Sequence, residues 1–216
     1  MTTTIALESP LLTEATPNPT LDLSLVIPVH NEARNLPILC EEITATLVDQ
    51  EYTYEVIVID DGSSDDTWAT LQMLATADNH LVLARHRRRC GKSAGLRSGF
   101  SLARGAVIVT LDGDLQDDPQ EIPGFLEQLA AGDDLVSGWK YPRHDPWHKT
   151  LPSLVFNNVM RLLFRLPLHD FNCGFKAYRR EVVDDLELYG ELHRFIPVFA
   201  AANGYQVSER RVNHRP

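Results

Sequence analysis

What most constrains this chain is a regular alternation of short, apolar, β-branched runs with stretches of helical spacing, from about Leu23 to Leu111. Leu23 to Val29 (LSLVIPV) and Tyr54 to Asp60 (YEVIVID) are runs of the kind that form strands buried on both faces. Between them, Ala33 to Val48 repeats its apolar residues at helical spacing. The unit reads strand, helix, strand, and is expected to be parallel and right-handed. A second helix from about Asp65 to Ala77 leads to a strand at His80 to Arg85, and a third from about Lys92 to Ala103 leads to one at Ala106 to Leu111. Such repetition predicts an α/β, doubly wound sheet. Ligands of these sheets sit beyond the carboxyl ends of the strands. Polar residues collect there: Pro28 to Glu32, Asp60 to Ser64, and Asp112 to Gln116. Three strand ends should therefore meet at one crevice.

After Asp134 the pattern changes to a short strand LVSG, a polar loop Lys140 to Lys149, an amphipathic stretch, the turn-like HDFNCGF and a strand from Phe175 to Arg179. The 216 residues, 44% of them hydrophobic, suffice for one good-sized core, so residues 21–216 are expected to form a single domain. Residues 1–20, rich in Thr and Pro and without an apolar signal core, read as a disordered leader. A formal net charge of -10 argues against nonspecific nucleic-acid binding by the whole surface. Cys40, Cys90 and Cys173 are odd in number and not in CxxC pairs, so neither a disulfide framework nor a zinc site is indicated. A reducing cytosol is the simplest compartment. No run reaches the roughly 18 apolar residues of a membrane span. Leu151 to Leu168, interrupted by Asn157, Asn158, Arg161 and Arg165, suits either a helix lying on a membrane surface or one packed on its own domain.

The segment AVIVTLDGDLQDDP, Ala106 to Pro119, breaks from an apolar run into Asp112, Asp114 and Gln116. In an extended segment these three side chains leave the same face. Their oxygens suit magnesium or manganese, ions that keep positions open for substrate phosphates. A strand followed by an acidic helix cap is the competing reading, and it fits Asp117 and Asp118 before Pro119. Asp60 or Asp61, closing the second strand, is placed to accept hydrogen bonds from a base or ribose. The serines that follow are expected to start the next helix. Arg85 to Arg97 concentrates six Arg or Lys residues. Arg87, Arg88 and Arg89 read as solvated, whereas Lys92 and Ser93, at a helix start, are better placed for an anion. Lys140 is a further cation near the crevice. The chain lacks GxGxxG after its first strand, GxxxxGK[ST], HExxH and GxSxG. Dinucleotide, P-loop, zinc-protease and serine-hydrolase chemistries are accordingly disfavoured.

IPVHNE (Ile27 to Glu32), VIDDGSSDDT (Val58 to Thr67), GKSAGLRSGF (Gly91 to Phe100), LDGDLQDDP (Leu111 to Pro119), SGWKYPR (Ser137 to Arg143) and DFNCGFKAYRREV (Asp170 to Val182) occur in order. Together they resemble glycosyltransferase family 2, and within it the dolichol-phosphate mannosyltransferase and bacterial polyprenyl-phosphate glycosyltransferase branch. The resemblance implies a GT-A fold, a nucleotide-diphosphate sugar donor of GDP-mannose or UDP-glucose type, and Mg2+ or Mn2+. Pro28, His30, Glu32 and Asp60 or Asp61 would surround the nucleoside. Asp112, Gly113 and Asp114 would form the DxD motif, with Asp112, Asp114 and Gln116 on the metal. Lys140 would face the donor, standing where relatives often have Arg, and Lys92, from its place at a helix start, joins it among the donor-binding candidates. Asp170 would position the acceptor or act as a base, or serve only as a turn residue.

The implied reaction is inverting transfer to a polyprenyl (dolichyl or undecaprenyl) phosphate at the cytoplasmic face of a membrane, in cell-envelope glycan synthesis, with the half after Asp134 supplying the acceptor side. A family member with a soluble sugar or protein acceptor is one alternative. A nucleotidyltransferase and a noncatalytic nucleotide-sugar binding module are others. Relatives continue past VNHRP into a Gly- and Ser-containing stretch with an Arg and a Lys, so the chain is expected to be a catalytic domain truncated at its C-terminal end. Oligomeric state is not readable from the sequence.

Overall fold

In a computed structural model of the chain, residues 4–6, 20–141, 157 and 159–215 are described. The alternation becomes β2 (Leu21–Val29), α1 (Leu36–Leu47), β3 (Tyr54–Asp60), α2 (Thr67–Ala77), β4 (Leu81–Arg85), α3 (Lys92–Leu102) and β5 (Gly105–Thr110). A 3-10 turn, Pro119–Glu121, leads into α4 (Ile122–Ala130), followed by β6 (Leu135–Lys140). The remainder adds β7 (Lys176–Arg179), short helices at Arg180–Asp184 and Ile196–Ala202, and β8 (Val207–Val212). A first strand, β1 (Thr4–Ala6), runs parallel to β4. That amends the expectation of a leader without structure: β-branched residues can pair with the open edge of β4. Residues 7–19 lie outside the described residues.

The eight strands form one sheet in the order β1-β4-β3-β2-β5-β7-β6-β8. Pairings are parallel except where β7 inserts antiparallel between β5 and β6. The unbroken apolar runs explain why both faces are covered. Leu23, Leu25, Ile27 and Val29 of β2 point to one core with Leu36, Leu39 and Ile43 of α1 and Phe125 of α4. Val26 points to the opposite core with Leu96 and Phe100 of α3 and Ile57 and Ile59 of β3.

The order places β3 on one side of β2 and β5 on the other, so the chain reverses its direction of winding between β2 and β5. That switch point leaves a crevice at the carboxyl ends of the two strands. Helix α3 comes close to β2 because it faces the strand with glycines. A Cβ on Gly99 would lie 2.2 Å from Val26 Cγ1, and one on Gly95 would lie 2.8 Å from Pro28 Cβ. The first residue of α3, Lys92, is thereby carried to the mouth of the crevice.

Of the amphipathic stretch Leu151 to Leu168, residues 151–156 and 158 lie outside the described residues. Helical residues 159–164 bury Met160 against Leu168, Phe171 and Val198. They expose Leu162 (80%), Leu163 (66%) and Phe164 (44%). The segment therefore packs on its own domain along one line and presents apolar side chains along another.

Candidate active site

Where β2 ends, Asn31 takes a left-handed conformation (φ 60°), which turns the chain so that its backbone meets the loop after β3. Asn31 N–H donates to Ser63 Oγ (2.9 Å) and Glu32 N–H to Thr67 Oγ1 (2.8 Å). The two strand ends predicted from HNE and DDGSS are thus joined. His30 Nδ1 lies 3.1 Å from the carbonyl of Asp61. A carbonyl only accepts, so Nδ1 carries the proton. Pro28, within β2, is covered by Gly95 of α3.

Asp60 and Asp61 have separate fates. Asp60 is wholly buried, accepts from Ser63 N–H (2.8 Å) and pairs with Arg85 Nε (2.9 Å). Its side chain holds the loop and offers no face to a ligand. Asp61 accepts from His86 Nδ1 (2.7 Å) and from the amides of Cys90 and Gly91 (2.8 Å each). Burial alone would push its carboxyl up, but these donors outweigh it and hold the pKa below the usual range. Asp61, His86 and Cys90 are also the one group of three His, Cys, Asp or Glu side chains among the described residues whose ligand atoms lie within 4.8 Å of one another. Because His86 Nε2 is engaged by Ser98 Oγ (2.9 Å) as well, this cluster is a hydrogen-bonded clip on the basic loop and not an ion cage.

The segment after β5 differs from the extended form assumed from the sequence. The strand ends at Thr110, and Gly113 and Asp114 form a turn with Leu115 left-handed (φ 66°). Asp114 accepts from Gln116 N–H (3.1 Å), a local bond that stabilises such turns. The side-chain alternation of an extended strand therefore does not apply to these three residues, and any shared ligand position comes from the turn. Asp114 is exposed, and Asp112 and Gln116 are partly so. Gly113 is required by contact: a Cβ there would lie 2.7 Å from Val29 Cγ1 and 3.7 Å from Glu32 Cγ. The DxD turn and the HNE loop touch across the switch point. Glu32 registers this, its pKa raised by burial first and then by the charges of Asp114, Asp65 and Asp112, against a lowering bond from Asn35.

Three lysines surround these acids. Lys92 Nζ lies 2.5 Å from Asp112 Oδ1. Asp112 would rise in pKa through desolvation, yet Lys92, with help from Lys140 and Lys176, holds it low. Lys140 Nζ is 3.0 Å from Asp117 Oδ1, and Asp117 Oδ2 accepts the amide of Asp112 (3.2 Å). Lys140 is therefore largely buried beneath the turn, its ammonium kept charged by Asp117 although burial opposes it. Asp117 corrects the reading of the acidic helix cap. Asp118 caps, accepting from Gln120 N–H (3.1 Å) with Pro119 at the helix start. Asp117 instead lies under the DxD turn. Lys176, fully buried, donates to the carbonyls of Cys173 and Phe171 (3.4 Å for the latter).

The HDFNCGF turn reaches the same place. Gly174 lies against the Asp112–Lys92 pair: a Cβ there would be 2.5 Å from Asp112 Oδ2 and 2.7 Å from Lys92 Nζ. Asp170 is 1% exposed and accepts from Asn172 N–H (3.1 Å). Its side chain folds the turn and does not reach the crevice surface. Sequence reasoning also missed His193. Ser93 Oγ accepts from His193 N–H (3.1 Å) and lies 2.9 Å from Nδ1, so its own proton is free to bond Nδ1 and leaves the ring proton on Nε2. No local signal marks a contact 100 residues apart in sequence.

The profile of glycosyl transferase family 2 fits residues 24–187, and the chain belongs to that family. Dodecaprenyl-phosphate galacturonate synthase of Rhizobium johnstonii is 34% identical over 203 residues, covering 92% of this chain and 60% of the relative. Undecaprenyl-phosphate 4-deoxy-4-formamido-L-arabinose transferase of Pseudomonas fluorescens is 36% identical over 199 residues, covering 92% and 58%. The chain thus spans about three fifths of these relatives' length. Among solved structures, glucosyl-3-phosphoglycerate synthase of Mycobacterium tuberculosis, in complex with Mn2+, UDP and phosphoglyceric acid, superposes with a TM-score of 0.71 at 19% identity, covering 91% of this chain and 72% of that one. The fold is GT-A, as the resemblance implied.

Proposed function

We propose that this chain is the catalytic domain of a metal-dependent inverting glycosyltransferase that moves a sugar from a nucleotide-diphosphate sugar to a polyprenyl phosphate. The observation that carries it is the Lys92 ammonium paired with the Asp112 carboxylate at the switch point, with Asp112 and the exposed Asp114 both near enough for their charges to act on Glu32. That set offers anions to a hard cation and a cation to a phosphate. The pKa of Glu32 is raised by burial first, and the charges of Asp114, Asp65 and Asp112 add to it. Asp112, Asp114 and Gln116 would hold Mg2+ or Mn2+, whose chemistry is to neutralise the charge that develops on the leaving diphosphate. His30, Glu32 and the Asp61 loop are assigned to the nucleoside, and Lys92, at the start of α3, to the diphosphate.

The relatives named for polyprenyl phosphates support the acceptor class. A phosphate monoester has a second pKa of about 6 and is largely ionised near neutral pH. Its oxygen attacks the anomeric carbon from the face opposite the leaving group; the new bond is carbon to acceptor oxygen, the broken bond carbon to diphosphate oxygen. No general base is needed, which agrees with Asp170 lying buried in its turn. Exposed Leu162, Leu163 and Phe164 beside Arg161 and Arg165 fit an apolar lipid under an anionic headgroup. The same patch supports a place at a membrane surface, and the resemblance to polyprenyl-phosphate glycosyltransferases implies its cytoplasmic face. Among the described residues no helix is long and apolar enough to cross one.

The test is product formation from a panel of UDP- and GDP-sugars with undecaprenyl phosphate in detergent, against a panel of soluble sugars and phosphoglycerate. Transfer to the lipid phosphate supports the reading. Transfer only to a soluble acceptor would contradict the acceptor class, and binding of nucleotide sugar without transfer to any acceptor would contradict the enzyme.

A further inference from the structure

Asp112, assigned above to the metal, is not free: Lys92 Nζ sits 2.5 Å from its Oδ1. The other two lysines of the cluster are committed elsewhere, Lys140 to Asp117 at 3.0 Å and Lys176 to the carbonyls of Cys173 and Phe171. Lys92 alone of the three is both partly open to solvent, at 30%, and paired with a DxD carboxylate. The contact has been given room, since at position 174 any side chain would intrude on both Asp112 Oδ2 and Lys92 Nζ. A lysine ammonium is a compact charge on a flexible stem. It can leave one anion for another without moving the helix that carries it.

We infer that Lys92 is a resident cation on Asp112, displaced to the donor's diphosphate when the nucleotide arrives, so that divalent metal and nucleotide bind together and metal alone binds poorly. The inference rests on the assignment of Asp112 and Asp114 to the metal. Two cations on one carboxylate repel, so metal alone must bind against Lys92 or break its ion pair. A diphosphate provides the receiving anion. By linkage, the factor by which nucleotide tightens metal binding equals the factor by which metal tightens nucleotide binding. Lys92 contributes to that factor by weakening the metal-only state.

Mn2+ binding, followed by electron paramagnetic resonance of the free ion, reads this directly in the protein, Lys92→Met and Lys92→Arg, each without nucleotide and with UDP or GDP. Lys92→Met should bind Mn2+ alone about fivefold more tightly than the unaltered protein, the change that corresponds to ~1 kcal/mol for a partly exposed ion pair. Its gain from nucleotide should shrink by at least that factor. Lys92→Arg, which keeps the charge, should behave as the unaltered protein does with metal alone. Lys92→Gln serves in place of Lys92→Met should the latter not fold. Unchanged or weaker Mn2+ binding on removal of the charge overturns the inference while leaving the donor site standing. Failure of the unaltered protein to bind Mn2+ even with UDP or GDP overturns the metal assignment itself, and the inference with it.

Discussion

At the scale of single residues, the site is held by groups whose partners are distant in sequence. Asp117 ties the DxD turn to β6 through Lys140. Its side chain is wholly buried and that of Lys140 nearly so. Removing Asp117 takes the nearest anion from a largely buried ammonium, so Asp117→Ala should cost about 3–5 kcal/mol, checked by urea denaturation. His193 permits a pH prediction. Burial first, then Lys92, hold its imidazole down to about 4, against an ordinary 6.5. Between those values the unfolded chain binds a proton that the folded chain does not. Stability is then fully present above pH 6.5 and falls as pH drops toward 4. The difference in Tm between the protein and His193→Asn should change across that window, and a constant difference would contradict the assignment. That Asp112, Asp114 and Lys92 lie at the crevice was legible in the sequence because they follow a strand or start a helix at the carboxyl end of the sheet. The burial of Asp60, Asp170 and Lys140 was not, because the spacing of residues along a chain says nothing of what later elements cover.

At the scale of elements, apolar periodicity predicted α1 to α3 and β2 to β5 to within a few residues, because each buries a continuous face. It did not show that β7 enters antiparallel between β5 and β6, or that β8 closes the far edge, since pairing partners are chosen by tertiary contacts. Nor did it find the role of glycines in α3. Gly95 and Gly99 seat that helix on Pro28 and Val26, which carries Lys92 to Asp112. Gly99→Ala would force a methyl into Val26 Cγ1, 2.2 Å away. Overpacking of this kind costs about 1–3 kcal/mol. Calorimetric unfolding should show that loss, and nucleotide affinity should fall with it as Lys92 is displaced. Full stability with weakened nucleotide binding would instead place Gly99 at the ligand.

At the scale of the whole molecule, the strand order reverses between β2 and β5, and the DxD turn, HNE loop, α3 start and HDFNCGF turn all arrive at that switch point. The family and its GT-A fold follow from the ordered motifs and agree with the strand order. The donor, acceptor and metal are proposals of chemistry, and they stand or fall on one measurement. Sugar transfer from the nucleotide-sugar panel to undecaprenyl phosphate should be measured with Mn2+ and with chelator, for the protein and for Asp114→Ala. Asp114 is exposed and holds one local turn bond, so its removal should lower Tm by no more than a few degrees and leave the protein folded. The expected result is metal-dependent product, reduced by about 100-fold or more in the variant, as when a group that stabilises transition-state charge is lost. Transfer that persists in chelator, or proceeds equally in Asp114→Ala, would contradict the account.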